Sequence, residues 1–346
     1  MIKAAVPACD RPGIHWRSLG SYIRAIGAFT RTAAPILERS SFARIAASDW
    51  SDLPPAQTFP VPSASLGFRH YAAADSKRVL VLIHGSGCFC DLAHEMAVRI
   101  VRRNAAHVYT LDMRGHGRSS GPRGHAIDDQ GQMIGDVVAF VRHLHATHDR
   151  PQVTLGGHSA GGGIVLAFAR SPAADLVSSY LFLAPFLGFG SEVDRPHFGG
   201  WVRLRIGVLR LLTLANVLGI TRFNGSTVVD FNIEAAGDPR YVPSWSFSTL
   251  LAFGPDRWSA NARPLPADKP VLVLACSDDE CFSQRHYAGA FAVVAPHAEL
   301  PEVGPGGHWD LLVDAKAAQL AVRWLEAQDR RETETTDKTT PRERAA

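Results

Sequence analysis

The sequence predicts an α/β protein, a mostly parallel sheet with helices on both faces and a helical insertion. Three observations carry this. Short apolar segments alternate with segments of helical period. Residues 79–83 form an unbroken run of β-branched residues and Leu, as expected of a strand buried on both faces. Gly157-His158-Ser159-Ala160-Gly161 joins an apolar run at 152–155 to a helix-like run at 164–170. So tight a turn needs flanks without side chains, which glycine supplies.

The elements follow in order. Strands are expected at 66–72, 79–83, 107–111, 152–155, 179–183, 271–275 and 298–303. Helices are expected at 92–103, 134–148, 283–294 and 311–328. The alternation breaks between Pro185 and Pro266, too long a stretch for a plain crossover. Within it, residues 201–220 are apolar nearly all round, with a narrow stripe of Arg203, Gly207 and Arg210. This predicts a helical lid over about 186–265. Pro54, Pro55, Pro60 and Pro62 form a linker-like stretch. The domain plan is therefore an N-terminal helical extension over 1–55, a main domain over 56–328, and a polar, Thr-rich tail over 329–346 expected to be disordered.

Leu19, Tyr22, Ile23 and Ile26 recur at helical spacing, with Arg17, Arg24 and Arg31 on another face. One reading of this basic amphipathic helix is peripheral membrane contact. The other is packing on the body with the arginines in water.

Composition narrows the function. The 346 residues are 46% hydrophobic and 20% charged, enough for a sizeable core, and the net charge of +3 is too small to suggest nucleic acid. Five scattered cysteines are not a secreted disulfide framework. Cys88-x-Cys90 and Cys276-x4-Cys281 fall in loops near the expected site, where buried, hydrophobe-like thiols are favoured over a metal. No segment offers the roughly 18 uninterrupted apolar residues of a membrane span, and no export signal is visible. The expected location is cytoplasmic, peripheral to a membrane if the basic helix or the lid meets one.

G-x-S-x-G in a strand–turn–helix context is the nucleophile elbow of serine hydrolases. A Ser hydroxyl is a weak nucleophile until a base takes its proton and an acid orients that base. Four motifs together resemble the α/β-hydrolase superfamily, in its lysophospholipase, monoglyceride lipase and serine-aminopeptidase-like branch. They are His84-Gly85-Ser86-Gly87, the run Asp112-Met113-Arg114-Gly115-His116-Gly117-Arg118-Ser119, the elbow, and Gly307-His308-Trp309. The resemblance covers about 66–327. It implies Ser159 as nucleophile, His308 as base, and an acid after the strand at 271–275.

Asp278 and Asp279 both follow that strand. The family's acid lies three residues after a small residue, and Cys276 in that place favours Asp279. Asp278 stays open, with Glu280 as the outsider. The resemblance also implies backbone N–H groups of Ser86 and Ala160 as the oxyanion hole. His84 and the run from Asp112 to Ser119 are expected to hold loops rather than act on substrate.

The reaction expected is hydrolysis of a carboxylic ester with an apolar, lipid-like acyl chain, because lids line clefts with apolar side chains. It needs no metal or organic cofactor. Peptidase, amidase and thioesterase chemistry use the same three residues. An aminopeptidase would need carboxylates for the substrate ammonium, for which Glu192, Asp194, Asp230 and Glu234 are candidates. A hydrolase fold kept only for binding is the remaining alternative.

Overall fold

The computed structural model describes residues 41–128, 131–233, 238–255 and 264–339. The expected basic helix near residue 20, and Glu234, lie outside these residues.

A seven-stranded sheet forms the centre. Its strands are β1 (Ala56–Val61), β2 (Ala64–Tyr71), β3 (Arg78–Ile83), β4 (His107–Leu111), β5 (Gln152–His158), β6 (Ser179–Leu183) and β10 (Val271–Leu274). They lie in the order β1-β2-β4-β3-β5-β6-β10. β2 pairs antiparallel with β1 and β4, and every other pair is parallel. All six residues of β3 are buried, as its apolar run requires.

Helices α2 (His94–Arg102), α3 (Gly131–Thr147), α4 (Ala160–Ala169), α7 (Tyr287–Val294) and α8 (Ala315–Thr339) accompany the sheet. α4 leaves the elbow almost wholly buried. It packs so close to β3 that a Cβ on Gly161 would lie 2.6 Å from the His84 carbonyl oxygen, and nearer still to that of Ile83.

Several expectations need correction. The presumed proline linker holds β1, with Pro60 opposite Ser65. An edge strand tolerates a residue with no N–H to donate. The presumed last strand at 298–303 is reduced to one bridge between Leu272 and Glu299, and Pro301 removes the next donor on that run. The last helix continues to Thr339, well past Gln328. No Gly or Pro interrupts it before Pro341, so polarity alone does not end it.

The insertion is only partly helical. It carries a three-stranded antiparallel sheet of β7 (Val202–Leu204), β8 (Thr227–Phe231) and β9 (Ser244–Ser246), with α5 (Ile206–Val217) and α6 (Phe247–Phe253). Val202, Arg203, Leu204 and Arg205 alternate with period two, a strand signal inside an apolar stretch that looked helical.

Residues 41–55 are not separate from the body. Helix α1 (Phe42–Ala46) buries Phe42 and Ile45 in the main core. Trp50 meets the His94 ring at 6.4 Å, and Asp52 pairs with His94 at 2.8 Å.

Candidate active site

Ser159 sits between β5 and α4 with φ 53° and ψ −120°. A non-glycine residue reaches such a conformation only when its surroundings impose it. Here the backbone is pinned at both ends. Ser159 N–H donates to the Leu183 oxygen, and the Ser159 oxygen accepts from Gly162 and Phe186. The side chain is thereby held at the carboxyl end of the parallel strands.

His308 follows β10 in a loop without regular structure. Its Nδ1 lies 2.8 Å from Asp279 Oδ2. The other Asp279 oxygen accepts the Cys281 and Phe282 N–H groups at 2.7 and 2.8 Å. His308 and Asp279 are each 1% exposed. Asp278 is exposed and bonded to Ser277 Oγ. Of the two aspartates, Asp279 is the one brought to the histidine. Glu280 bonds the backbone N–H of His308, not its ring.

His158 packs its ring 4.5 Å from that of His308 and donates from Nε2 to the His308 oxygen at 3.1 Å. Facing the elbow is the loop His84–Gly87. An ideal Cβ on Gly85 would lie 3.0 Å from Ser159 Cβ, which measures how close this backbone comes. Among the described residues, neither the Ser86 N–H nor the Ala160 N–H is taken by another group. Ala160 is also the first residue of α4, where the helix dipole favours negative charge. Ser86 Oγ accepts from Trp201 Nε1 at 3.1 Å.

His84 Nε2 accepts the Met113 N–H while Nδ1 donates to the Gly85 oxygen. Burial pushes its pKa down to about 4, so the ring is neutral and holds the loop. His116 is likewise fixed, accepting from Trp245 and donating to the Arg114 oxygen. Asp112 accepts N–H groups from Cys90 and Arg118, and burial raises its pKa to about 6. These residues of the 112–119 run therefore brace loops.

Sequence reasoning missed Asp91. Fully buried, it pairs with Arg69, Arg118 and Arg240. Burial alone would raise its pKa, but the arginines hold it below the usual carboxylate range. Nothing local in the sequence marks it, because its partners are 22, 27 and 149 residues away. Of the proposed ammonium-binding carboxylates, Asp230 is paired with Arg205 through both oxygens, and Asp194 accepts the Ser191 N–H.

Among the described residues, one group has donor atoms spaced for a metal. Asp279, Cys281 and His308 offer ligands within 4.8 Å of one another. The two stronger ligands already face each other, and burial pushes the Cys281 thiol well up. Of the trio, Asp279 and His308 are therefore hydrogen-bonded to each other rather than arranged around a cation.

An elbow serine, a paired histidine and aspartate, and a helix start facing a glycine loop define an α/β-hydrolase. The chain belongs to the serine aminopeptidase S33 family, which it matches over residues 74–303. It is 40% identical to a monoacylglycerol lipase of Mycolicibacterium smegmatis over 102 residues, 28% of this chain and 35% of that lipase. Solved structures agree in fold. A soluble variant of Saccharomyces cerevisiae monoglyceride lipase superimposes with TM-score 0.64 at 18% identity, over 81% of this chain and 97% of that one. The monoacylglycerol lipase of Paleococcus ferrophilus gives 0.54 at 20% identity, over 75% and 98%.

Proposed function

We propose that this protein hydrolyses carboxylic esters with apolar, lipid-like acyl chains, of the monoacylglycerol lipase, lysophospholipase or esterase kind, through an acyl-enzyme. The observation that carries this is the Asp279–His308 pair at 2.8 Å, packed on His158, the residue before the strained elbow serine. His308 takes the Ser159 proton as Oγ attacks the ester carbonyl. Asp279 holds the ring with Nδ1 protonated, which leaves Nε2 as the base. The tetrahedral oxyanion is received by the Ser86 and Ala160 N–H groups. His308 then protonates the departing alcohol, and water repeats the sequence to release the acid. The buried aromatic cluster next to His308 supports an apolar substrate. Phe282 lies 5.2 Å from His308, and Phe186, Phe189 and Phe198 cluster behind it.

Ser159 is only 7% exposed. Trp201, Phe231 and Val242 of the insertion press on the 84–87 loop, which supports an insertion that moves, as a lid does, to admit substrate. Its outer face supports docking on an anionic lipid surface. Val208, Leu211, Leu214, Leu218, Ile220 and Phe223 are exposed there. Four arginines lie between Trp201 and Ser226; Arg205 is neutralised by Asp230, and each of the others near such a surface adds about 1 kcal/mol. Among the described residues no helix is long and apolar enough to cross a membrane. The four described cysteines are free thiols, which supports a reducing, cytoplasmic setting.

The test is turnover of p-nitrophenyl esters from acetate to palmitate by wild type and Ser159→Ala. We expect turnover that peaks at medium or long chains and vanishes in the variant. A preference for acetate removes the lipid part. Activity on amides or thioesters alone moves the reading to those substrates. Sedimentation with anionic vesicles, abolished by Leu211→Asp with Leu218→Asp, tests the surface contact.

A further inference from the structure

The loop bearing His308 has no helix or strand to fix it, so hydrogen bonds must place it. Its ring is held by Asp279. Its main chain is held by a different set of groups. Glu280 Oε2 accepts the His308 N–H at 2.6 Å. The other oxygen, Oε1, accepts the Ser41 N–H at 2.8 Å and the Ser41 hydroxyl at 2.9 Å. Ser41 Oγ in turn accepts the next peptide N–H, that of Trp309, at 2.9 Å. One carboxylate and one hydroxyl thus close a ring over two successive peptide groups. Their partners come from residues 41, 280 and 308–309, far apart in the chain.

The fit is close on every side. A Cβ on Gly307 would lie 2.6 Å from Glu280 Oε2 and from Ser41 Oγ, so only glycine lets the serine seat there. From the insertion, Gly199 adopts φ +63°, and a Cβ on it would come within 2.8 Å of Glu280 Cγ. Burial alone would raise the Glu280 pKa. The neighbouring His308 ring and the backbone N–H groups of His308 and Ser41 hold it below the usual range. Hydrogen bonds to an ionised carboxylate are the strong ones.

The geometry points to Glu280, with Ser41, as a positioning pair that clamps the His308–Trp309 peptide and ties the residue 41–46 segment to the working geometry of the base. Two consecutive carboxylates then divide one task, Asp279 orienting the imidazole and Glu280 its backbone. The inference rests on the role proposed above for His308. Glu280 touches no reacting atom. Its effect arises because a displacement near 1 Å at a catalytic group costs about 10²-fold in rate.

The experiment uses the full chain and four variants: Glu280→Ala, Glu280→Gln, Ser41→Ala and Ser159→Ala. Three readouts are taken: kcat and KM on the best p-nitrophenyl ester, thermal unfolding, and the far-downfield proton NMR signal of the His308–Asp279 N–H. Glu280→Ala should lower kcat by about 10- to 100-fold with KM within about 2-fold, and should weaken or broaden the downfield signal. Glu280→Gln keeps one acceptor oxygen and should fall between Glu280→Ala and wild type. Ser41→Ala should lower kcat about 3- to 10-fold, by the same misplacement argument.

A folded Glu280→Ala with wild-type kcat and an unchanged signal overturns the clamp. Should that variant fail to fold, wild-type kcat in both Ser41→Ala and Glu280→Gln overturns it instead. If Ser159→Ala stays as active as wild type, the nucleophile reading has failed, and the NMR signal still reports on the clamp independently.

Discussion

The elbow and the His308 loop face each other, yet they are built by opposite means. The elbow is local. Seven residues of strand, a strained serine and a helix are fixed by close backbone approach, and Gly161 sits against β3 with no room for a methyl group. The loop is assembled at long range. Its shape depends on Asp279, Glu280, Ser41 and His158, which reach it across 28 to 268 residues of chain. Steric necessity leaves a mark in the sequence at the place where it acts. Hydrogen bonding across the fold leaves no such mark.

The largest effect that should sharpen this contrast is Gly161→Ala. The added methyl meets two backbone oxygens that cannot turn aside. We expect a destabilisation of about 4 kcal/mol or more, or no folded protein, measured by denaturant unfolding. A mild effect would show that α4 can slide, and the elbow would be less rigid than described. On the loop side, Asp279→Asn should leave the fold intact and cut kcat by about 10⁴-fold. Asp278→Asn should stay near wild type. Equal losses in both would break the assignment of the acid.

The third test uses pH. His84, His116 and His158 are buried and held neutral, their pKa values pushed down by burial, that of His84 to about 4. A folded pKa below the unfolded value near 6.5 gives stability that is present above pH 6.5 and is lost as pH falls towards 4. Asp112 has the opposite sign. Raised to about 6, it favours the fold at low pH and loses that contribution as pH rises through 6. Three histidines outweigh one aspartate, so unfolding free energy should drop from pH 6.5 to 4.5. A flat profile in denaturant titrations over that range would contradict the neutral rings.

The smallest expected effect is Arg44→Ala. Its pair with Asp310 is exposed on the arginine side, with 70% of that side chain in water. Loss of such a pair should cost under about 1 kcal/mol. A larger loss would mean that the residue 41–46 segment depends on it as well as on Ser41.

Legibility in the sequence followed the same division. Strands β3 to β6 and the elbow were readable because burial on both faces and glycine spacing are local properties. The resemblance favoured Asp279 over its neighbour Asp278 without separating them outright; in the structure the His308 ring meets Asp279 Oδ2, while the turn after it holds Oδ1 on two N–H groups. β1 was hidden behind prolines that an edge strand can carry. The small sheet of the insertion was masked by apolar residues common to both strand and helix. Asp91 and Ser41 could not have been singled out, and Glu280 was named only as an outsider for the acid, since each is defined by partners that only folding brings near.

Gly87 and Ser86 are tied to the insertion by two hydrogen bonds, from Val242 N–H and from Trp201 Nε1. Any motion that uncovers Ser159 by lifting the insertion must therefore release the same loop. On the function proposed above, entry of substrate and loosening of the 84–87 loop would be one event, and re-closure would restore both together. A molecule too short to keep the insertion engaged would meet the serine beside a slack loop. The chain length of the acyl group would then be sensed through timing, by whether the gate shuts behind it, as well as through contact.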